Sequence, residues 1–233
     1  MIERITLTGA DNSTSYNFIK KTSKAYPIVE WGILVSKKNF GMPRFPSKAW
    51  LLEADEVLPK TLKMSCHLCG KWVRDLCFEG DTEFVNNIPM SMFKRIQLNF
   101  HAIVHQANQE KFISALQKFS DIQFIFQLDD VNNSLLKVAQ EAGIDVVPLF
   151  DTSGGAGILP GAWPTSAGYA GYAGGLSPDN LAQQLPAIIA ASENKPLWID
   201  AETHLRSNND SLFDEKKIIK FIEQALPYCT GSL

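Results

Sequence analysis

Several residues in this chain have the types and spacing to do chemistry. Asp151 closes the apolar run VVPLF and stands ahead of Ser153-Gly154-Gly155-Ala156-Gly157. A carboxyl group one residue past a strand can give or take a proton, or can cap a helix. A second glycine cluster, Ala173-Gly174-Gly175-Leu176, runs into Ser177-Pro178-Asp179-Asn180. The latter reads as a helix start, with a hydroxyl cap and Pro at the first helical position. Glycines at strand ends let backbone N–H groups approach a ligand, and a helix N-terminus adds unpaired donors. Together they suit an anion, most simply a phosphate, with Gly154, Gly155, Gly174, Gly175, Ser177 and Asn180 as the expected contacts.

A third cluster is Ser65-Cys66-His67-Leu68-Cys69-Gly70. Strand alternation puts Ser65, His67 and Cys69 on one face and Cys66 and Leu68 on the other. A thiol beside an imidazole can form a thiolate–imidazolium pair, a usable base or nucleophile. The alternative is that these side chains fill an interior. Cys66 and Cys69 have a zinc-like spacing, but alternation points them apart and no second Cys-x-x-Cys exists, so no metal is expected. Asp200, Glu202, His204 and Arg206 follow another apolar run, PLWI, and read as a polar wall of a site. Asp11, Asp129 and Asp130 are weaker candidates, with helix capping the safer reading for at least one of the last two, and Gln97 and Asn99 suit a ligand contact or a buried polar network equally well. His101 and His105 have the i, i+4 spacing of a helical pair, and a surface pair is the simpler reading.

The elements that must position these groups follow from the hydrophobic pattern. Eight β-rich runs are expected: Ile2–Leu7, Ile28–Val35, Leu62–Cys69, Phe93–Phe100, Ile122–Leu128, Val146–Phe150, Gly168–Ala173 and Pro196–Asp200. Helices are expected over 14–25 (capped by Ser13 or Asn12), 50–56, 71–80, 106–119, 134–142, 181–191 and 214–226. Eight strands, most of them followed by a helix, give the rhythm of a single (β/α)8 barrel spanning residues 1–233. Sites in such barrels sit at the carboxyl ends of the strands, where every cluster above falls.

Composition narrows the partners. The chain has 233 residues, 45% of them hydrophobic, and a formal net charge of −3. No basic stripe favours nucleic acid, and no apolar run is long enough for a bilayer. Four cysteines in a chain of this length do not suggest a disulfide framework, so a cytoplasmic setting is expected. No cofactor is expected, and the protein is expected to be a monomer or a homodimer.

From about Asp145 onward the chain resembles phosphoribosylanthranilate isomerase. The matching motifs are LFDT (149–152), GGAG (154–157), GGLSPDN (174–180), IDAE (199–202) and DEKKIIKFI (214–222). ITLTGAD, RFPS (44–47) and IQLN (96–99) resemble the first strand, the loop after the second and the fourth strand. The resemblance implies a ribulose-phosphate-binding type of barrel and an acid/base rearrangement of a phosphorylated sugar amine. Asp151 matches the general acid, Arg44 an anion-binding arginine, and Gly174–Asn180 half of the phosphate cradle. Thr8 stands where the family places a cysteine base, and a threonine hydroxyl has no low-pKa form. Cys69 with His67 is therefore the candidate base. After Asp200 the family's glycine gives way to Glu202, His204 and Arg206, so Asp200, Glu202 and Arg206 are expected ligand contacts. The expected function is an isomerase-like or lyase-like enzyme acting on a phosphorylated, sugar-like small molecule, other than the standard isomerisation. The alternative is a non-catalytic barrel that binds a phosphorylated metabolite.

Overall fold

Residues 1–100, 107–128, 132–151 and 156–230 are described in the computed structural model of the chain. Eight parallel strands close into a barrel in sequence order: β1 (Ile2–Thr8), β2 (Val29–Ser36), β3 (Met64–Cys69), β4 (Arg95–Leu98), β5 (Gln123–Leu128), β6 (Val146–Phe150), β7 (Ala170–Tyr172) and β8 (Leu197–Ala201). β1 pairs with both β2 and β8, which completes the ring. Among the described residues seven α-helices lie between or after them: α1 (Tyr16–Ala25), α2 (Lys48–Val57), α3 (Lys71–Glu79), α4 (Gln109–Leu116), α5 (Asn133–Glu141), α6 (Leu181–Ala191) and α7 (Glu215–Ala225).

The helix boundaries have local causes. Ser15, Ser47, Asn108 and Asp214 each accept a backbone N–H of the first turn, at α1, α2, α4 and α7 respectively. The α1 cap is thus Ser15 rather than Ser13 or Asn12, because Ser13 is engaged elsewhere. Its N–H and hydroxyl both donate to Asp11 Oδ1, at 2.9 and 2.6 Å. Gly80 ends α3 in the left-handed region at φ 65°, where a Cβ would cost energy. Amphipathic faces explain the outer layer: Ile218, Phe221, Ile222 and Ala225 of α7 are all buried against the barrel.

The interior of the barrel is filled rather than hollow, in two zones. At the amino-terminal end, Glu30 Oε2 accepts from Arg95 Nη1 at 2.9 Å and from Thr6 Oγ1 at 3.1 Å, while Glu30 Oε1 accepts from Arg4 Nη1. Arg95 lies over the Trp198 ring at 4.4 Å, and Tyr169 packs on that ring at 4.9 Å. Gly171 makes room for this layer, because a Cβ there would sit 2.2 Å from Trp198 and 2.6 Å from Leu149. The carboxyl-terminal end holds the polar side chains described next.

A short antiparallel hairpin follows β8. It comprises β9 (Arg206–Ser207) and β10 (Leu212–Phe213), joined through Asn208, Asn209 and Asp210, all at positive φ. The sequence pattern did not predict it. Asn and Asp tolerate this conformation better than other side-chain-bearing residues, which explains their use here.

Candidate active site

A cleft opens at the carboxyl ends of β6, β7 and β8, with about 430 Å³ of open space, part of it continuous with solvent. Asp151, Asp200, Glu202, His67 and Gln97 line it together with Gly174, Gly175 and Leu176. Each acid has a different environment. Asp151, buried at the end of β6, accepts from Gln127 Nε2 at 2.9 Å. Asp200, on β8, accepts from the Thr8 hydroxyl at 2.7 Å and lies 4.0 Å from His67 Nε2. Glu202, just beyond β8, accepts from Arg44 Nη1 at 2.7 Å.

Electrostatics follows from these partners. Burial pushes the Asp200 carboxyl well above the ordinary range; the Thr8 hydroxyl opposes the rise, and the charges of Glu202, Glu30 and Asp151 add to it. Glu202 is also raised by burial, against the pull of Arg44. Burial pulls His67 down to about 3, so the imidazole is neutral at physiological pH. It exchanges a hydrogen bond with Ser65 Oγ at 3.0 Å. The cleft therefore holds a neutral imidazole, an Asp200 carboxyl whose protonated form is favoured by burial, and two further carboxyl groups.

The thiolate–imidazolium pair expected at the end of β3 is not formed. The Cys69 thiol donates to the His67 backbone carbonyl at 3.4 Å and accepts from Asn99 Nδ2 at 3.2 Å. Burial pushes it up to about 12, with the charge of Glu202 adding and the Asn99 amide opposing. A thiol so placed is protonated near neutrality and is not a base. Cys66 points into the apolar core, as alternation requires. The Thr8 hydroxyl donates to Asp200.

The two arginines expected to meet an anion are already paired with carboxylates. Arg44, at φ 74°, donates to Glu202, to Asp210 Oδ2 at 2.5 Å and to Thr203 Oγ1 at 3.2 Å. Arg206 is buried, donating to Asp11 Oδ2 at 2.6 Å, to the Gly9 carbonyl at 2.6 Å and to the Asp210 carbonyl at 3.0 Å. Asp11 also accepts from the Arg44 N–H at 2.8 Å. Arg206 is thus a structural tie between β1 and the hairpin. Arg44 meets the cleft through Glu202 and Thr203. The sequence showed the charges but not this pairing, since most of the partners are distant in the chain, Arg206 and Asp11 by 195 residues.

Gly174 and Gly175 reach the cleft at φ 104° and 69°. The backbone N–H groups of Gly174, Gly175 and Leu176 have no hydrogen-bond partner among the described residues. The turn beyond them is self-contained. Ser177 Oγ accepts from the N–H groups of Asp179 and Asn180, each at 3.2 Å, and Asn180 Nδ2 donates to the Gly175 carbonyl at 2.8 Å. Ser177 and Asn180 shape the loop with their own side chains. The helix itself begins at Leu181, after a turn rather than directly at Pro178.

A second constraint acts on Gly175. A Cβ there would lie 2.4 Å from the Leu159 nitrogen, so the segment 157–159 packs directly on it. His204 Nε2 meets the Gly157 carbonyl at 2.9 Å and Thr203 packs on Gly157, which fastens that segment to the end of β8. Gly154, Gly155, Asp129, Asp130, His101 and His105 lie outside the described residues. Gln97, equivocal in sequence, lines the cleft.

The fold and the site's place at the strand ends define a parallel (β/α)8 barrel with its polar cleft at the usual face. Among solved structures the barrel is similar to phosphoribosylanthranilate isomerase. The Thermus thermophilus enzyme aligns over 97% of this chain and 99% of its own, with a TM-score of 0.61 and 12% identity. The Thermotoga maritima enzyme aligns over 97% and 98%, with a TM-score of 0.59 and 15% identity. A phosphoribosylanthranilate isomerase in complex with reduced 1-(o-carboxyphenylamino)-1-deoxyribulose 5-phosphate aligns at a TM-score of 0.58 and 16% identity, over 97% of this chain and 98% of that one. At these identities the likeness is one of fold. No family model and no curated protein sequence matches the chain. No helix among the described residues is long and apolar enough to cross a membrane.

Proposed function

We propose that this protein is an acid/base catalyst acting on a small phosphorylated, sugar-like molecule, by a reaction other than the standard isomerisation of phosphoribosylanthranilate. The observation that carries this reading is the convergence of Asp151 and Asp200 in one cleft beside three unbonded N–H groups at 174–176. The N–H groups have the character of an anion cradle, formed by consecutive donors at a glycine turn. The two carboxyls supply complementary proton chemistry, because their surroundings differ. Burial favours the protonated form of Asp200, which serves as donor. Asp151, steadied by the Gln127 amide, serves as acceptor. This exchanges the role that the family resemblance implies for Asp151, and it needs neither a thiolate at position 69 nor a base at Thr8. His67, neutral, orients the substrate rather than moving a proton.

The reading is tested without knowing the product. Solvent deuterium uptake next to the carbonyl of pentose and hexose phosphates would report proton abstraction directly. Asp151→Asn is expected to abolish uptake, a loss of 10²-fold or more, while inorganic phosphate binds as in the wild type. Phosphate binding without deuterium uptake from any sugar phosphate would favour the non-catalytic barrel. Absence of phosphate binding would remove the cradle and the reading with it.

A further inference from the structure

A chain of hydrogen bonds beside the cleft makes the most bonds when it runs in one direction. The Cys69 thiol donates to the His67 carbonyl, so its sulfur is left to accept, and it accepts from Asn99 Nδ2. That fixes the Asn99 amide with Oδ1 turned toward Gln97, whose Nε2 donates to it at 2.8 Å. Gln97 then presents Oε1 as its remaining end. This oxygen is buried and has no partner, in a residue that is 5% exposed and lines the cleft beside His67 and Asp200. A buried carbonyl oxygen without a donor is costly, and such groups in native proteins call for an explanation. Reversing the Gln97 amide would not help, since two carbonyl oxygens would then face each other unless Asn99 also turned. Asn99 could turn only if the thiol left the His67 carbonyl to donate to Asn99 Oδ1, which reduces three bonds to two.

We infer that Gln97 Oε1 accepts a hydrogen bond from a hydroxyl or amine N–H on the sugar-like part of the ligand, and that Cys69 and Asn99 are positioning residues that fix the direction of the Gln97 amide. Nothing else in the described chain satisfies that oxygen, and the opposite side of the cleft offers N–H donors for an anion. The ligand is thereby asked to carry its negative charge at one end and a donor group at the other. Cys69 has a use without being a base: a thiol is small, donates once and accepts once. The inference rests on the anion cradle at 174–176 for the ligand's other end.

Calorimetry with two probes, ribose 5-phosphate and inorganic phosphate, tests it. Gln97→Leu is expected to weaken ribose 5-phosphate by about 10-fold to 100-fold, the usual cost of losing a hydrogen bond in a site built for it, and to leave inorganic phosphate unchanged. Cys69→Ser keeps one donor and one acceptor and should bind the sugar phosphate within about twofold of the wild type. Cys69→Ala frees the Asn99 amide and should weaken the sugar phosphate several-fold, again without effect on phosphate. A thermal melt on each variant separates these losses from unfolding. Equal loss of both probes in Gln97→Leu, or no loss of either, overturns the inference. So does a wild type that binds phosphate but not ribose 5-phosphate. A Cys69→Ser variant as weak as Cys69→Ala overturns the positioning role. If the wild type binds neither probe, the cradle fails first and the proposed function falls with it.

Discussion

The two ends of the barrel bury acids in opposite ways. At the amino-terminal end Glu30 is fully enclosed but flanked by Arg4 and Arg95. Burial would push it up, yet the two guanidinium groups win and hold it below the ordinary carboxylate range. At the carboxyl-terminal end Asp200 is nearly as buried, and its nearest partners are a hydroxyl, a neutral imidazole and other acids. It is pushed up. Desolvation is the common factor, and the presence or absence of a cation decides the sign. A compensated acid holds strands together. An uncompensated one costs stability at neutral pH and stays available for proton transfer, as expected of a site.

The largest test of this contrast is Glu30→Gln. Removing the acid leaves two arginines facing each other inside the barrel, and breaking a buried pair in this way costs about 3–5 kcal/mol. Urea denaturation at neutral pH should show that loss. The sign with pH follows from the lowered pKa. The stability from Glu30 is present above its unfolded value and is lost as pH falls through the folded one. The variant should therefore approach the wild type in acid. A variant that unfolds at the wild-type urea midpoint would show that the ion pairs merely offset their own desolvation.

Asp200→Asn should act the other way and by less. A raised folded pKa means the native state holds the proton more tightly than the unfolded chain, so this contribution favours the fold at low pH and is lost as pH rises toward the folded pKa. The amide cannot ionise. The variant should gain stability over the wild type on the alkaline side, on the order of 1 kcal/mol, the usual size for one buried substitution, while any deuterium uptake falls. Parallel stability curves for the two proteins between acid and alkaline pH would break the contrast between the two ends.

How far this contrast was legible in the sequence depends on the separation of its parts. The strands were legible because each is a short apolar run, and α6 because its periodic segment ends cleanly at 181 and 191. Asp151 and Asp200 were legible because each follows such a run. Pairing was not. Arg4, Glu30 and Arg95 lie in three different strands, and only the oddity of a charge inside an apolar run could have marked them. Arg44 and Arg206 were expected to meet the ligand, but the hairpin at 206–213 brings Asp210 to both. Cys69 and His67 share a face as alternation says, yet period two gives the face and not the rotamer. The thiol turned to Asn99 and the ring to Ser65.

Arg44 joins the compensated and uncompensated worlds, and its replacement should have the smallest effect on stability. Its φ of 74° is strained for a side-chain-bearing residue, at a cost of about 1–3 kcal/mol. Its guanidinium pairs with Glu202 and Asp210, whose side chains are 26% and 35% exposed. Such half-open pairs contribute about 1 kcal/mol or less, further reduced by salt. Arg44→Gly removes strain and pairs together, so the folded state should change by less than about 1 kcal/mol. Glu202 should respond more clearly. Arg44 opposes the burial that raises this acid, so its loss should move the Glu202 titration to higher pH, as followed by the carboxyl carbon resonance. If that titration stays in place, Arg44 does not set the charge of Glu202. The cation at the mouth would then be a latch for the hairpin and no part of the site.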